Sequence, residues 1–236
     1  FQPDENQITL ADGSTLQYNV LVVAPGIRLA WEKIAGLEET LGKNGVTSNY
    51  RYDLAPYTWE LVQGLKSGRA IFTQPPMPIK CAGAPQKAMY LSCDHWLHNR
   101  VLGDIDVEFR NAGGVLFGVQ DYVPALMKYV EKYDIALKLG SNLVAVDGPG
   151  QIATFQTQEG EVTREFDMLH VVPPQVAPQF LAESPLANEA GWTDVDQHTL
   201  QHVRYPNVFG LGDAGSMPNA KTAAAARKQA LQPLSS

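Results

Sequence analysis

Hydrophobic and polar positions alternate along Ile8–Tyr18 in two short runs either side of Asp12-Gly13, a pattern that predicts a β-hairpin closed by that turn. Four consecutive aliphatics follow, Val20 to Val23, of the continuous kind expected of a strand buried on both faces, and Pro25-Gly26 ends them. Weak helical periodicity marks Thr58–Lys66, and a second apolar strand, Arg69–Thr73, leads into the proline-rich loop QPPMPIKCAGAP. Lys87–Asn99 is expected to be helical, with Met89, Cys93 and Trp96 on one apolar stripe at i, i+4 and i+7. A strand at Ile105–Phe109, an amphipathic helix carrying Tyr122, Val123, Leu126, Met127 and Val130, and the strand-like IALKLG come next. Alternation from Leu143 to Val172, with turns at Gly148-Pro149-Gly150 and Glu159-Gly160, predicts a β-meander. Beyond Pro178 the chain is rich in loops until Val208, Phe209 and Leu211 form a short strand. Gly210, Gly212 and Gly215 there allow backbone to approach a ligand closely, and a helix starting near Lys221 presents the small residues Ala223 to Ala226. The succession of strands and helices followed by a meander defines an α/β sheet domain with a β insertion.

Composition narrows the class. With 236 residues, 44% of them hydrophobic and 18% charged, the chain has material for one large or two modest domains with a real core, which excludes disorder as a whole. The net charge of −7 and the scattering of the 18 basic residues argue against a nucleic-acid partner. No run without Asp, Glu, Lys or Arg exceeds 15 residues, the length of Met168–Ala182, which is interrupted by Pro173, Pro174 and Pro178. A spanning helix needs about 20 apolar residues, so no crossing of a membrane is expected. The opening FQPDENQITL lacks an initiating Met, a basic n-region and an apolar h-region, and reads as a chain cut from something longer. Two cysteines, Cys81 and Cys93, are too few for a secreted disulfide framework and fit a reducing compartment or a catalytic use. Among five histidines only His198 and His202 stand at i, i+4, with no third ligand nearby, so no metal is expected.

An aliphatic strand closed by Ala24-Pro25-Gly26, coupled at distance to an aliphatic strand ending in Gly212-Asp213, resembles the hhhhATG and GD motifs of flavoproteins with two dinucleotide-binding domains. Asp213 at the carboxyl end of a strand can accept hydrogen bonds from ribityl or ribose hydroxyls. Amides of the helix starting at Lys221 can face an electron-rich flavin oxygen. The segments PIKCAGAPQKAMYLS, MLHVVPPQ and DVDQHTLQHVRYPNVFGLGDAGSMPNAKTAAA are similar to the mitochondrial and related bacterial branch of the sulfide:quinone oxidoreductases, and the similarity runs along nearly the whole chain.

That resemblance implies two Rossmann-like domains in an α/β fold, the FAD domain incomplete: residues 1–35 and 190–236 as its remnant, 66–178 as a second domain with the meander, and 36–65 and 179–189 as connections. It implies oxidation of sulfide by a redox-active cysteine pair, with two electrons passing to FAD and then to ubiquinone. Cys81 is then the thiolate against the flavin, favoured by the neighbouring Lys80, by Lys87 and by helix amides, while Pro25, Gly26, Gly212, Asp213, Lys221 and Thr222 contact the cofactor. The family location is the cytoplasmic or organelle-matrix side, peripheral to the inner membrane, with membrane contact expected only of the full-length protein.

Three departures qualify the transfer. The family's GxGxxG phosphate unit is absent, so FAD binding by this chain alone is expected to be weak or absent. The family's C-terminal segment with its quinone and membrane contacts is absent too. Where the family places its second redox cysteine, just after Gly-Asp, stands Ala214. Cys93 is a poor substitute, for at ~1.5 Å per residue a helical Cys93 lies about 10 Å along the axis from the helix start, and a disulfide needs Cα atoms within about 7 Å. Impaired or altered sulfur handling is the expectation. The prolines after Arg69–Thr73 lack the amides of a nucleotide-phosphate turn, which argues against a pyridine nucleotide. Plainer readings stand beside these: Cys93 as a core thiol, Cys81 as a chance loop cysteine, Asp213 as a turn residue, Lys221 as a solvated lysine. The whole chain then serves as a non-catalytic, FAD-free module offering a sulfur relay or an interaction surface.

Overall fold

The computed structural model describes residues 1–231. In chain order come strands β1 (Gln7–Thr9), β2 (Thr15–Gln17), β3 (Leu21–Val23) and β4 (Arg28–Leu29), helix α1 (Leu37–Thr40), β5 (Val46–Thr47), α2 (Ala55–Gly64) and β6 (Gly68–Gln74). Helix α3 (Ala84–His98) leads to β7 (Ile105–Asn111), α4 (Val123–Lys132) and β8 (Ala136–Leu139). Then follow β9 (Asn142–Asp147), β10 (Ile152–Thr157), β11 (Gly160–Glu165), β12 (Met168–His170), β13 (Gln175–Val176), α5 (Gln179–Ala182), β14 (Val208–Gly210) and α6 (Ala223–Gln229). They divide into two compact units, Phe1–Leu29 with the chain from Gln175 onward, and Ala30–Pro174.

The Ala30–Pro174 unit is built on a five-stranded parallel sheet in the order β5-β12-β6-β7-β8. Successive side chains of β6 point to opposite faces. Phe72 enters a core with Val62, Met89, Cys93, Trp96 and Phe109, whereas Ile71 enters another with Leu37, Val46, Phe155 and Leu169. Burial on both faces explains why this strand reads as a continuous apolar run. Helix α3 starts at Ala84, three residues before the expected start, because Pro85 fits the first turn, where an amide has no helical partner. Its stripe of Met89, Cys93 and Trp96 is fully buried, and the Trp96 indole donates to the Val62 carbonyl at 2.8 Å. Residues 36–65 contribute α1, β5 and α2, with Val46 and Thr47 of β5 paired to Leu169 and His170 of β12.

The meander is shorter than expected. β9, β10 and β11 form a three-stranded antiparallel sheet with an irregularity at Thr154/Phe155, but β12 leaves it and inserts between β5 and β6. Each of its three residues is buried, and a strand with neighbours on both edges and both faces shows no alternation.

In the other unit, β1 and β2 form the expected hairpin with Ile8 opposite Leu16. Its turn is held by the Asp12 carboxylate, which accepts from the Ser14 amide at 2.9 Å and the Ser14 hydroxyl at 2.6 Å. Those bonds lower the Asp12 pKa. Strand β3 departs from expectation: among the described residues it pairs only with β14, in parallel, and Val20 and Val22 are 59% and 49% exposed while Val23 is buried. Among the described residues no element of this unit covers that face. Val23, Val208, Leu181, Leu186 and Ala214 form the unit's small core.

Candidate functional site

Seven residues singled out in the sequence fall in two groups, six in the unit that begins at Phe1 and Cys81 in the other. Parallel pairing of β3 with β14, Gly210 opposite Val23, brings the two turns that follow them side by side. Carboxyl ends of adjacent parallel strands are where open α/β sheets hold ligands. Pro25-Gly26 turns with Gly26 at φ +78°, and a side chain there would meet nothing within 4 Å, so glycine serves the backbone conformation and not close packing. The Leu211 amide donates to the Val23 carbonyl at 3.2 Å, and Gly212, at φ +70°, opens a single turn through Ala214. The Gly212 amide is taken by Gln229 Oε1 of α6 at 2.8 Å. Asp213 is half-buried, and among the described residues its carboxylate accepts no hydrogen bond, which leaves it open to a hydroxyl donor.

Lys221 is no solvated cation. Its Nζ donates to the main-chain carbonyls of Asp213 at 2.6 Å and Gly215 at 3.1 Å and stands 4.1 Å from the centroid of the Trp192 ring. Burial lowers its pKa, and the Asp213 charge acts the other way. The ammonium therefore holds the Gly-Asp turn from behind. Helix α6 begins at Ala223 instead of Lys221, because Thr222 is its N-cap: Thr222 Oγ1 accepts from the Ala225 amide at 3.1 Å. One amide of the first turn is thereby already used. Ala214, at the position where the family resemblance places a second cysteine, is fully buried in the core with Val23 and Val208.

Cys81 lies beyond the carboxyl end of β6, in the loop that enters α3. It is exposed, in the left-handed conformation at φ +53°, and its carbonyl accepts from the Ala84 amide at 2.7 Å. Tyr50 secures the preceding residue, its hydroxyl donating to the Lys80 carbonyl at 3.0 Å, while Lys80 Nζ lies 6.0 Å from the Tyr50 ring centroid. Burial first, and the neighbouring Cys81 second, push the Tyr50 phenol well above its ordinary value. Cys93 is the opposite kind of thiol: it is fully buried in α3's stripe, and burial pushes it up to about 12. Iodoacetamide at neutral pH is accordingly expected to label Cys81 alone, with Cys93 labelled only after denaturation. Native-state mass spectrometry showing modified Cys93 would contradict that assignment.

Tyr50, Trp192 and Gln229 support these turns and were not marked by the sequence, since aromatic and amide residues in irregular stretches carry no periodic signal. His170 is fully buried in β12, with its ring stacked on Phe72 and Nε2 accepting from the Asn49 amide at 3.0 Å. Burial lowers its pKa to about 4. A cavity of about 910 Å³ opens at the amino ends of β6 and β7, lined by Arg69, Asp106, Asp134 and Asp167 and by none of the seven residues above.

A parallel sheet flanked by helices with an antiparallel insertion in one unit, and adjacent parallel strand-end turns carrying Pro-Gly and Gly-Asp in the other, define a Rossmann-type α/β fold. No family model matches the chain. The mitochondrial sulfide:quinone oxidoreductase of Dictyostelium discoideum is 44% identical over 233 residues, covering 98% of this chain and 51% of that protein. Its Mus musculus counterpart is 43% identical over 230 residues, 96% of this chain and 51% of that protein. The sulfide:quinone oxidoreductase structure from Aquifex aeolicus shares the fold at a TM-score of 0.77, with 18% identity over 92% of this chain and 51% of that one. Along nearly its whole length the chain is similar to these sulfide:quinone oxidoreductases, and it spans about half the length of the curated relatives it matches.

Proposed function

We propose that the chain is part of a flavin-dependent enzyme that takes electrons from sulfide through the Cys81 thiolate and passes them to quinone, with altered sulfur handling. The observation that carries this reading is an exposed thiol on a left-handed loop residue beyond a parallel strand, within the PIKCAGAPQK segment. The relatives' printed names support sulfide and quinone as substrates and a mitochondrial site. Among the described residues no helix is long and apolar enough to cross a membrane.

The residues present fit one part of an FAD. Asp213, with an unpartnered carboxylate, suits ribityl or ribose hydroxyls, and the Gly26 and Gly212 turns admit close approach. Lys221 and Thr222 act one step behind, the first holding the Gly-Asp turn and the second capping α6. A pyrophosphate cradle does not fit here, since the Gly212 amide already bonds Gln229 and no glycine-rich phosphate turn precedes a helix. When bound, FAD supplies a two-electron acceptor and donor between thiol and quinone. Cys81 meets the sulfur substrate; Ala214 offers no second sulfur, and Cys93, locked in the core, cannot replace it. An internal disulfide is therefore denied to this chain.

Sulfide added to the full-length parent protein should bleach its flavin, and Ala214→Cys should raise sulfide-dependent quinone reduction about tenfold or more, the equivalent of ~1.4 kcal/mol of barrier. Turnover of the unmodified parent equal to that of two-cysteine relatives would refute the altered sulfur handling. The incomplete phosphate site favours a second reading for this chain taken alone, a FAD-free module. Flavin content separates the two: we expect the purified chain to be colourless, and stoichiometric FAD would overturn the module reading.

A further inference from the structure

We propose that a cavity at the carboxyl ends of β7 and β8, remote in sequence from Cys81, binds a tetrahedral oxyanion, either free phosphate or the phosphate of a monoester. The cavity measures about 550 Å³ and is closed on one side by the turn between β10 and β11. That volume falls within the roughly 300–1,000 Å³ of small-molecule sites.

Its charges carry the inference. Arg110 side-chain atoms are 4% exposed, and the guanidinium donates from Nε to Glu108 at 2.6 Å and from a terminal nitrogen to Ser141 Oγ at 3.0 Å. It lies 4.5 Å from the centroid of the Phe155 ring. Glu108 also faces Arg69 at 3.5 Å and Arg164 at 3.6 Å, so three guanidiniums converge on one buried carboxylate. Arg69 has Asp106 of its own at 2.7 Å. Arg110 and Arg164 therefore share a single negative charge, and one positive charge is left over. Arg164 Nε is buried without a hydrogen-bond partner. Lys138, exposed on β8 at the rim, adds a further cation and has no ion-pair partner among the described residues. Opposing them is Glu159, exposed on the β10–β11 turn.

An excess of positive charge gathered about a half-enclosed space, in a chain whose net charge is −7, calls for an anion. Guanidinium donors in a fixed fork match the oxygens of a tetrahedral oxyanion. Leu137, Leu139 and Val162 line the same cavity and leave room for an apolar group attached to the anion.

Calorimetric titration of the chain with inorganic phosphate and with phenyl phosphate, at ionic strength held constant with sodium chloride, tests the proposal. We expect saturable binding of at least one ligand, with a dissociation constant of about 1 mM or tighter. Lys138→Ala combined with Arg164→Ala should weaken it at least about tenfold, because both charges that face the ligand from the rim are removed. The Glu108–Arg110 pair stays intact in that variant, and Lys138→Ala alone, with a smaller loss, guards against misfolding. Lys43→Ala, at an exposed site elsewhere in the same unit, should change nothing. Tighter binding of phenyl phosphate identifies a monoester, and equal binding identifies the free ion; both support the site. No saturable heat from either ligand, or equal affinity in the double variant, overturns it.

Discussion

Trp96→Ala should lower the unfolding free energy by about 3–5 kcal/mol, the usual cost of emptying a large aromatic site in a packed core. The indole is fully buried between α3 and the sheet, close to Phe72, and its N–H is spent on the Val62 carbonyl at 2.8 Å. Alanine removes the packing and also strands a buried carbonyl of α2 without a donor, a penalty of about 1–3 kcal/mol where water cannot enter. Against a total stability of roughly 5–15 kcal/mol, the loss should be plain as a fall in the urea midpoint. A shift worth less than about 1 kcal/mol would mean that Trp96 is not the centre of this core. Trp96→Phe, which keeps most of the ring volume but lacks the N–H, separates packing from the hydrogen bond.

Glu108→Gln is expected to be comparably severe, about 3–5 kcal/mol, for an electrostatic reason. Gln is nearly isosteric, so cavity formation contributes little. What is lost is the one buried negative charge on which Arg69, Arg110 and Arg164 converge, and Arg110 is left as an unpaired cation inside the sheet. Burial already disfavours its charged form, with Glu108 the main opposing influence. Arg110→Met in the Glu108→Gln background should recover much of the loss, since methionine can pack on Phe155 without a counter-charge. Denaturant melts of the four proteins in that double-mutant cycle measure the coupling. Independent, additive losses would show that Glu108 matters only by its shape.

Much of the fold was legible wherever a single period ruled. The Asp12-Gly13 hairpin, the buried strand β6 and the Met89–Cys93–Trp96 stripe each follow from local alternation or helical spacing. Strand β12 escaped because three residues enclosed on every side leave no alternation to read. The valines of β3 announced a doubly buried strand, but tertiary neighbours decide exposure, and among the described residues only β14 lies alongside. In the candidate site, the Pro25-Gly26 and Gly212-Asp213 turns could be read because glycine at positive φ leaves a mark in sequence. The role of Lys221 could not, since two main-chain carbonyls and an indole face are assembled only by folding.

That ammonium–indole contact has an optical consequence. Trp31, Trp59 and Trp96 all fall between Ala30 and Pro174, so Trp192 is the one indole of the unit that carries the Gly-Asp turn. Its fluorescence is a built-in reporter: any ligand that loosened the Lys221 cation from the ring would change the share of emission that this one indole contributes, and the difference from Trp192→Phe isolates that share.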